Sequence, residues 1–295
     1  KFMKDGKILW ISENSGYKHI WIAKHSGSNF WPITKGEWEV SAINYIDEDA
    51  QKIYFTANKE SVFENRFYSI RVDGTELNLL TPEEGSHYIS ISGSKKYFTD
   101  TFSSLTVPRK ILYRDLESGK IIKVLGETDL EQYEEYEWST PKIVHFPTKD
   151  NTENLDGIIT LPPNYSKTKK YPVIMYGYGM PGTQIVWNRW GRTWNQYLAQ
   201  LGYIVFSMDS RGMSGRGEEF KNLSYGDMAH YLAKDHLAGL NYLVDEGYAD
   251  PERIGAWGWS GGGYFTCLML TKNGKYFKAG VSVAPVTDFR LYDTA

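Results

Sequence analysis

The chain has 295 residues, enough for two domains with their own cores, and a formal charge of -3, which gives no electrostatic case for nucleic acid or an anionic membrane as the main partner. Its single cysteine, Cys267, excludes an internal disulfide framework and reads as a small buried hydrophobe on the inner face of a helix. No apolar run approaches the roughly 18 residues of a membrane span, and no charged-then-apolar leader is visible at Lys1.

In the first half, Trp21 to Gly27, Tyr68 to Gly74 and Tyr113 to Gly119 each place an aromatic six residues before a turn glycine, and the aromatics lie 47 and then 45 residues apart. An apolar run follows each glycine, ending in Phe30-Trp31-Pro32-Ile33-Thr34, Leu77-Asn78-Leu79-Leu80-Thr81 and Ile121-Ile122-Lys123-Val124-Leu125. Short strands and turns such as Asp73-Gly74 and Ser118-Gly119 at this period predict blades of a β-propeller. Closing the ring usually takes about four to eight blades. Residues 1 to about 125 hold fewer than three, and an open ring would leave broad apolar faces in water. The chain is therefore expected to start inside a longer propeller. Residues 126–140 carry Glu127, Asp129, Glu131, Glu134, Glu135 and Glu137 among few aliphatics, the composition of a solvated linker rather than of a metal site.

The second half changes character. Leu155 to Leu161 is a strand candidate stopped by Pro162-Pro163, and Val173 to Tyr176 and Tyr203 to Phe206 are continuous apolar runs, the pattern of strands buried on both faces. Between them Trp194, Tyr197, Leu198 and Leu201 fit one stripe of a helix, with Gly202 where a C-terminal glycine belongs. A longer helix follows with Ala233, Leu237, Leu240 and Val244 on one stripe, then a strand from Arg253, a helix with Tyr264, Cys267 and Leu268 facing inward, and a strand from Gly280 to Ala284. This alternation predicts a mostly parallel, doubly wound α/β sheet whose site lies at the carboxyl ends of its strands.

At that end stands Gly258-Trp259-Ser260-Gly261-Gly262, a Gly-x-Ser-x-Gly pattern between a strand and a helix. A sharp strand-to-helix turn lifts a serine hydroxyl clear of the backbone, and glycines on both sides permit the close crossing that such a turn needs. Ser260 is thus the candidate nucleophile for acyl transfer.

The elbow through Tyr264, with Asp209-Ser210-Arg211-Gly212 upstream and Val283-Ala284-Pro285-Val286 downstream, resembles the prolyl oligopeptidase family of serine peptidases, most closely its dipeptidyl peptidase IV branch. Gly16-Tyr17-Lys18-His19-Ile20 and Ile33 to Val40 resemble that branch's propeller, so the likeness runs through nearly the whole chain. The resemblance implies the last propeller blades and a linker over residues 1–140 and the first part of an α/β-hydrolase domain over residues 141–295. It also implies roles. Tyr178, in Tyr176-Gly177-Tyr178-Gly179-Met180-Pro181, matches the family's oxyanion-hole tyrosine, to act with the backbone N–H of Gly261. Trp259 and Tyr292 are the implied substrate-binding aromatics. At Gly261 the family more often has tyrosine, so here the backbone donor survives and an aromatic neighbour of the pocket does not.

A serine nucleophile needs a histidine base and an orienting acid, which in this fold follow the serine in the order acid, histidine. The six histidines are His19, His25, His87, His145, His230 and His236, and none lies among the 35 residues after Ser260. His230 and His236 read as partly exposed histidines of a helix ahead of the elbow, and Asp288 and Asp293 stand too close behind the serine to serve as the acid. The expectation is a fragment, truncated at both ends, of a peptidase that removes amino-terminal dipeptides after proline or alanine. Tripeptidyl, oligopeptidyl and acylaminoacyl peptidases or esterases on the same scaffold are the alternatives, as is an inactive homologue that binds through its propeller. The expected partner is a peptide substrate, with a homodimer left open. No cofactor or metal is expected, and the resemblance favours a periplasmic or secreted setting.

Overall fold

Apolar residues alternating with polar ones, and broken at turn glycines, produce short antiparallel strands through the first half of the chain. The computed structural model describes residues 1–26, 30–191 and 193–292. They form two compact units, the first comprising Lys1–Asp129, Trp187–Gly191 and Gly215–Glu219, the second the remainder.

In the first unit, β1 (Ile8–Ser12), β2 (His19–Ala23) and β3 (Trp31–Pro32) make a three-stranded sheet. Two four-stranded sheets follow: β4 (Val40–Asp47), β5 (Lys52–Ala57), β6 (Arg66–Arg71) and β7 (Asn78–Leu79), then β8 (Ser86–Ile91), β9 (Tyr97–Ser103), β10 (Lys110–Asp115) and β11 (Ile121–Glu127). Every pairing is antiparallel. Trp21, Tyr68 and Tyr113 occupy equivalent strands, β2, β6 and β10, and the apolar runs become the last strand of each sheet. This is the part of a propeller that the repeat predicts.

The repeat has a hydrogen-bonding basis. Ile20 N–H donates to Thr34 Oγ1 at 2.9 Å, and 47 residues later Phe67 N–H donates to Thr81 Oγ1 at 2.9 Å. The turn glycine has a steric one. A Cβ on Gly119 would lie 2.2 Å from the carbonyl oxygen of Leu80, and one on Gly74 would lie 3.1 Å from that of Ile33, the equivalent residue one sheet earlier. Gly27, the third glycine of the series, lies outside the described residues. Sheets pack face to face through Leu9, Ile22, Phe55 and Tyr68, and then through Tyr54, Phe67 and Phe98, the last two rings 5.0 Å apart edge to face. Asn188 joins the second and third sheets: its N–H donates to Phe63 O and its Nδ2 to Glu64 Oε1, both at 2.8 Å, while its Oδ1 accepts from Leu105 N–H and its carbonyl from Ser86 Oγ.

In the second unit a 3-10 turn at Glu131–Tyr133 leads through mostly exposed residues to β12 (Lys142–Pro147), β13 (Asn154–Thr160) and β14 (Tyr171–Tyr176). Then come α1 (Thr193–Gln200), β15 (Ile204–Asp209), α2 (Gly217–Asn222, of which only Phe220–Asn222 belong to this unit), α3 (Met228–Asp245), β16 (Ala249–Trp259), α4 (Gly261–Lys272), β17 (Ala279–Val283) and α5 (Phe289–Tyr292). The sheet order is β12-β13-β15-β14-β16-β17, parallel from β15 to β17 with β12 and β13 added antiparallel. This is the sheet of an α/β-hydrolase. Val173, Met175, Ile204, Phe206, Ile254 and Ala256 fill its centre, as continuous apolar runs require.

Three helix faces differ from the expected stripes. On α1, Trp194, Tyr197 and Leu201 point outward, and Asn195 and Gln196 are buried with Leu198. Gln196 earns its place by serving backbone: its Oε1 accepts from Ser139 N–H at 3.0 Å and its Nε2 donates to Ser139 O at 2.6 Å. On α3 the buried face is Leu232, Asp235, His236, Gly239, Leu240 and Leu243, rotated from the predicted one because Asp235 and His236 are buried with polar partners. On α4 the inner face centres on Phe265, Thr266 and Met269, while Tyr264 and Cys267 are half-buried; the thiol donates to Ser282 Oγ at 3.3 Å.

Candidate active site

β16 buries every second residue from Ile254 to Gly258 and ends at the exposed Trp259, and α4 begins at Gly261, so Ser260 alone makes the turn. It does so at φ 58° and ψ -115°, a region that costs any residue with a Cβ about 1–3 kcal/mol. The surroundings hold it there. Ser260 N–H donates to Val283 O at 2.9 Å, which fastens the turn to the end of β17, and Ser260 O accepts from Tyr264 N–H at 3.1 Å. The crossing of strand and helix leaves no room for side chains: a Cβ on Gly258 would lie 2.3 Å from Gly262 O. One on Gly262 would lie 2.4 Å from Gly177 O, in the loop that follows β14. Ser260 itself is half-buried.

That loop carries Tyr178. Its ring edge, at Cε1, is 3.4 Å from where a Cβ on Gly261 would stand. The Gly261 N–H is the first of α4 and has no carbonyl of its own helix to reach. The Tyr178 ring and a backbone donor are thereby brought next to each other beside the serine, at the positive end of a helix. Asp209 fixes the far side of the loop, its Oδ1 accepting from Ile185 N–H at 2.8 Å and its Oδ2 from Val186 N–H at 3.2 Å. The sequence gives no sign of this clamp, because no pattern in it says which donors a strand-end carboxylate will meet.

Trp259 is 61% exposed and faces away from the core. Tyr292 is also exposed, and connects to the elbow through rings: it lies 6.4 Å from Phe289, which lies 5.5 Å from Tyr264. Phe289 and Tyr264, with Met180, Pro181, Tyr225 and Met228, line a groove of about 550 Å³. Phe289 does not stand out in the sequence, and Asp209 and Met180 stand there only as members of quoted segments, with no role attached.

Among the described residues no histidine hydrogen-bonds to Ser260. His19 is buried between Thr34 Oγ1 and Gly36 O, and His87 between Asp100 and Glu83 O. His145 pairs with Asp156 at 2.6 Å. His25 and His230 are exposed. His236 is fully buried, against the expectation of partial exposure, because its ring packs 4.4 Å from Phe265 and its Nδ1 lies 2.8 Å from Leu232 O. Burial pushes its pKa down to about 4. Asp288 is taken up by Arg290, whose guanidinium holds the carboxyl below the usual range, and Asp293 lies outside the described residues.

Residues 190–295 match the model of the prolyl oligopeptidase family, and residues 1–109 that of the dipeptidyl peptidase IV N-terminal region. Dipeptidyl peptidase 4 of Trichophyton equinum is 34% identical over 293 residues, 96% of this chain and 38% of its own length. Dipeptidyl peptidase 4 of Arthroderma otae is 32% identical with the same coverage. The chain thus spans 38% of the length of these curated relatives. The crystal structure of Porphyromonas gingivalis dipeptidyl peptidase 4 superposes with a TM-score of 0.91 at 30% identity, over 98% of this chain and 41% of that one.

Proposed function

From a chain that belongs to the prolyl oligopeptidase family, in its dipeptidyl peptidase IV branch, we propose that Ser260 is the nucleophile of a serine peptidase that removes amino-terminal dipeptides after proline or alanine. The observation that carries the reading is the strained Ser260 turn with the Gly261 N–H and the Tyr178 ring beside it. A fold that needed only a turn here would place glycine at φ 58°.

Ser260 Oγ adds to the carbonyl carbon of the substrate's second residue, and the oxygen, now negative, accepts hydrogen bonds from Tyr178 Oη and Gly261 N–H. Collapse expels the amine of the third residue and leaves an ester on Ser260, which water hydrolyses. A general base must take the Ser260 proton and pass it to the departing amine; His236, sealed beneath α4, is not that base, and among the described residues no histidine hydrogen-bonds to Ser260. Trp259 and Tyr292 contact the substrate, Tyr292 as an aromatic wall of the pocket for the residue before the scissile bond. In this reading residues 1–140 are propeller and linker, and residues 141–295 the start of the catalytic domain.

The test is fluorophosphonate labelling and hydrolysis of a Gly-Pro chromogenic amide by the full-length protein. Label on Ser260, and turnover lost in Ser260→Ala, are expected; a full-length protein that is unlabelled and inert would leave only a binding role. Tyr178→Phe should lower kcat by about 10²–10³-fold with little change in KM.

A further inference from the structure

The residue after the nucleophile is glycine for a reason that its backbone does not supply. Gly261 is the first residue of α4 and is not in the left-handed region, so alanine would suit its conformation. What stands in the way is Met180: a Cβ on residue 261 would lie 2.1 Å from Met180 Cγ and 3.1 Å from its Sδ. The methionine fills the space that a side chain next to the nucleophile would take.

Met180 cannot retreat with its backbone. Gly179, before it, stands at φ 70° with its Cβ position 2.0 Å from Leu232 Cδ1 of α3, and Gly177 packs against the Phe265 ring. The Met180 carbonyl accepts from Thr183 N–H at 3.3 Å and from Thr183 Oγ1 at 2.5 Å, and Asp209 holds Ile185 and Val186. With the main chain fixed on both sides, the side chain alone sets the local shape. It is half-buried, and it forms one wall of the groove that Pro181, Tyr225, Tyr264 and Phe289 complete.

We infer that Met180 is a specificity-determining residue: its thioether is the adjustable wall, next to Ser260, against which the apolar side chain of the residue being acylated packs, and Gly261 is glycine to make room for it. This rests on the peptidase reading. Methionine has three rotatable bonds and a polarisable sulfur, so a wall made of it fits unbranched and branched apolar side chains better than a rigid ring does. The pocket should accept alanine and proline without being built around either.

Two experiments decide it. In the full-length protein, Met180→Ala should raise kcat/KM for Gly-Leu relative to Gly-Pro amides by about tenfold or more, and Met180→Phe should lower the same ratio, since a few methylenes of pocket volume carry discrimination of that size. An unchanged ratio in both variants, with the wild type active, overturns the inference. Independently of activity, Gly261→Ala should lower the melting temperature by roughly 5 °C in the wild-type background and by less than about 1 °C in Met180→Ala. Equal losses in the two backgrounds would show that Met180 is not what excludes the side chain. A wild type that hydrolyses neither amide defeats the peptidase reading, while the melting cycle still decides the pairing of Met180 with Gly261.

Discussion

Ser260 spends conformational energy that glycine would not. Ser260→Ala keeps the strain and Ser260→Gly releases it, so the glycine variant should be about 1 kcal/mol more stable than the alanine variant in urea unfolding. Equal stabilities would mean that the turn is unstrained. His236 makes a prediction about pH. Its pKa is near 4 in the folded chain and about 6.5 unfolded. The unfolded state therefore binds the proton first, and stability is full above pH 6.5, falls as pH drops toward 4, and then levels off. The contribution is about 3 kcal/mol. Unfolding midpoints across that window should slope in the wild type and flatten in His236→Gln. Ser260 was legible because its turn has a local sequence pattern. Met180 was not, because the glycine that yields to it lies 81 residues further along. His236 misled because a lone histidine among helix apolars looks the same whether its partner is water or a carbonyl.

At the scale of elements, a buried ion pair ties the end of β15 to α3. Arg211 donates to Asp235 from Nε and Nη2, the latter at 2.6 Å, and its backbone N–H donates to the same carboxylate at 2.8 Å. Nη1 reaches Asp150 at 3.1 Å, in the turn between β12 and β13, and the guanidinium lies 4.6 Å from the centre of the Tyr231 ring. Both partners are almost wholly buried. Asp235→Ala should cost about 3–5 kcal/mol in a urea titration, because it leaves Arg211 charged and enclosed. A loss under about 1 kcal/mol would show that water or Asp150 takes over. Bonds from Lys234, Thr148, Thr152 and Arg211 hold the Asp150 carboxyl far below its usual range, so its contribution is present above the unfolded value near 3.8 and is lost only below it, outside the window set by His236. Strands and helices along β13 to β17 were legible from apolar runs and 3.6-residue periodicity. The buried faces of α1 and α3 were not, since Gln196 and Asp235 are inside on account of partners far away in the chain and His236 on account of a carbonyl of its own helix and the Phe265 ring, and hydropathy counts all three as outside.

For the whole molecule, the propeller part was read from a spacing and the hydrolase part from alternation, and β12 went unnoticed because His145 and Pro147 interrupt its apolar pattern. Among the described residues β17 pairs on one side only, at the end of the sheet, and its Val281 is 61% exposed. An apolar edge of this kind recruits further strands. The 295-residue chain should scatter more light per unit mass as its concentration rises, and Val281→Lys should suppress the rise; association that the lysine leaves untouched must come from another surface.

Successive sheets of the propeller part meet where a turn glycine comes against a main-chain carbonyl, Gly74 on Ile33 and Gly119 on Leu80. Such a contact contains no side chain on either partner, so mutation can rewrite the faces of a sheet without disturbing it. What the contact does require is that the glycine arrive at a set distance along the chain, and the aromatic-to-glycine interval is the same at Trp21, Tyr68 and Tyr113.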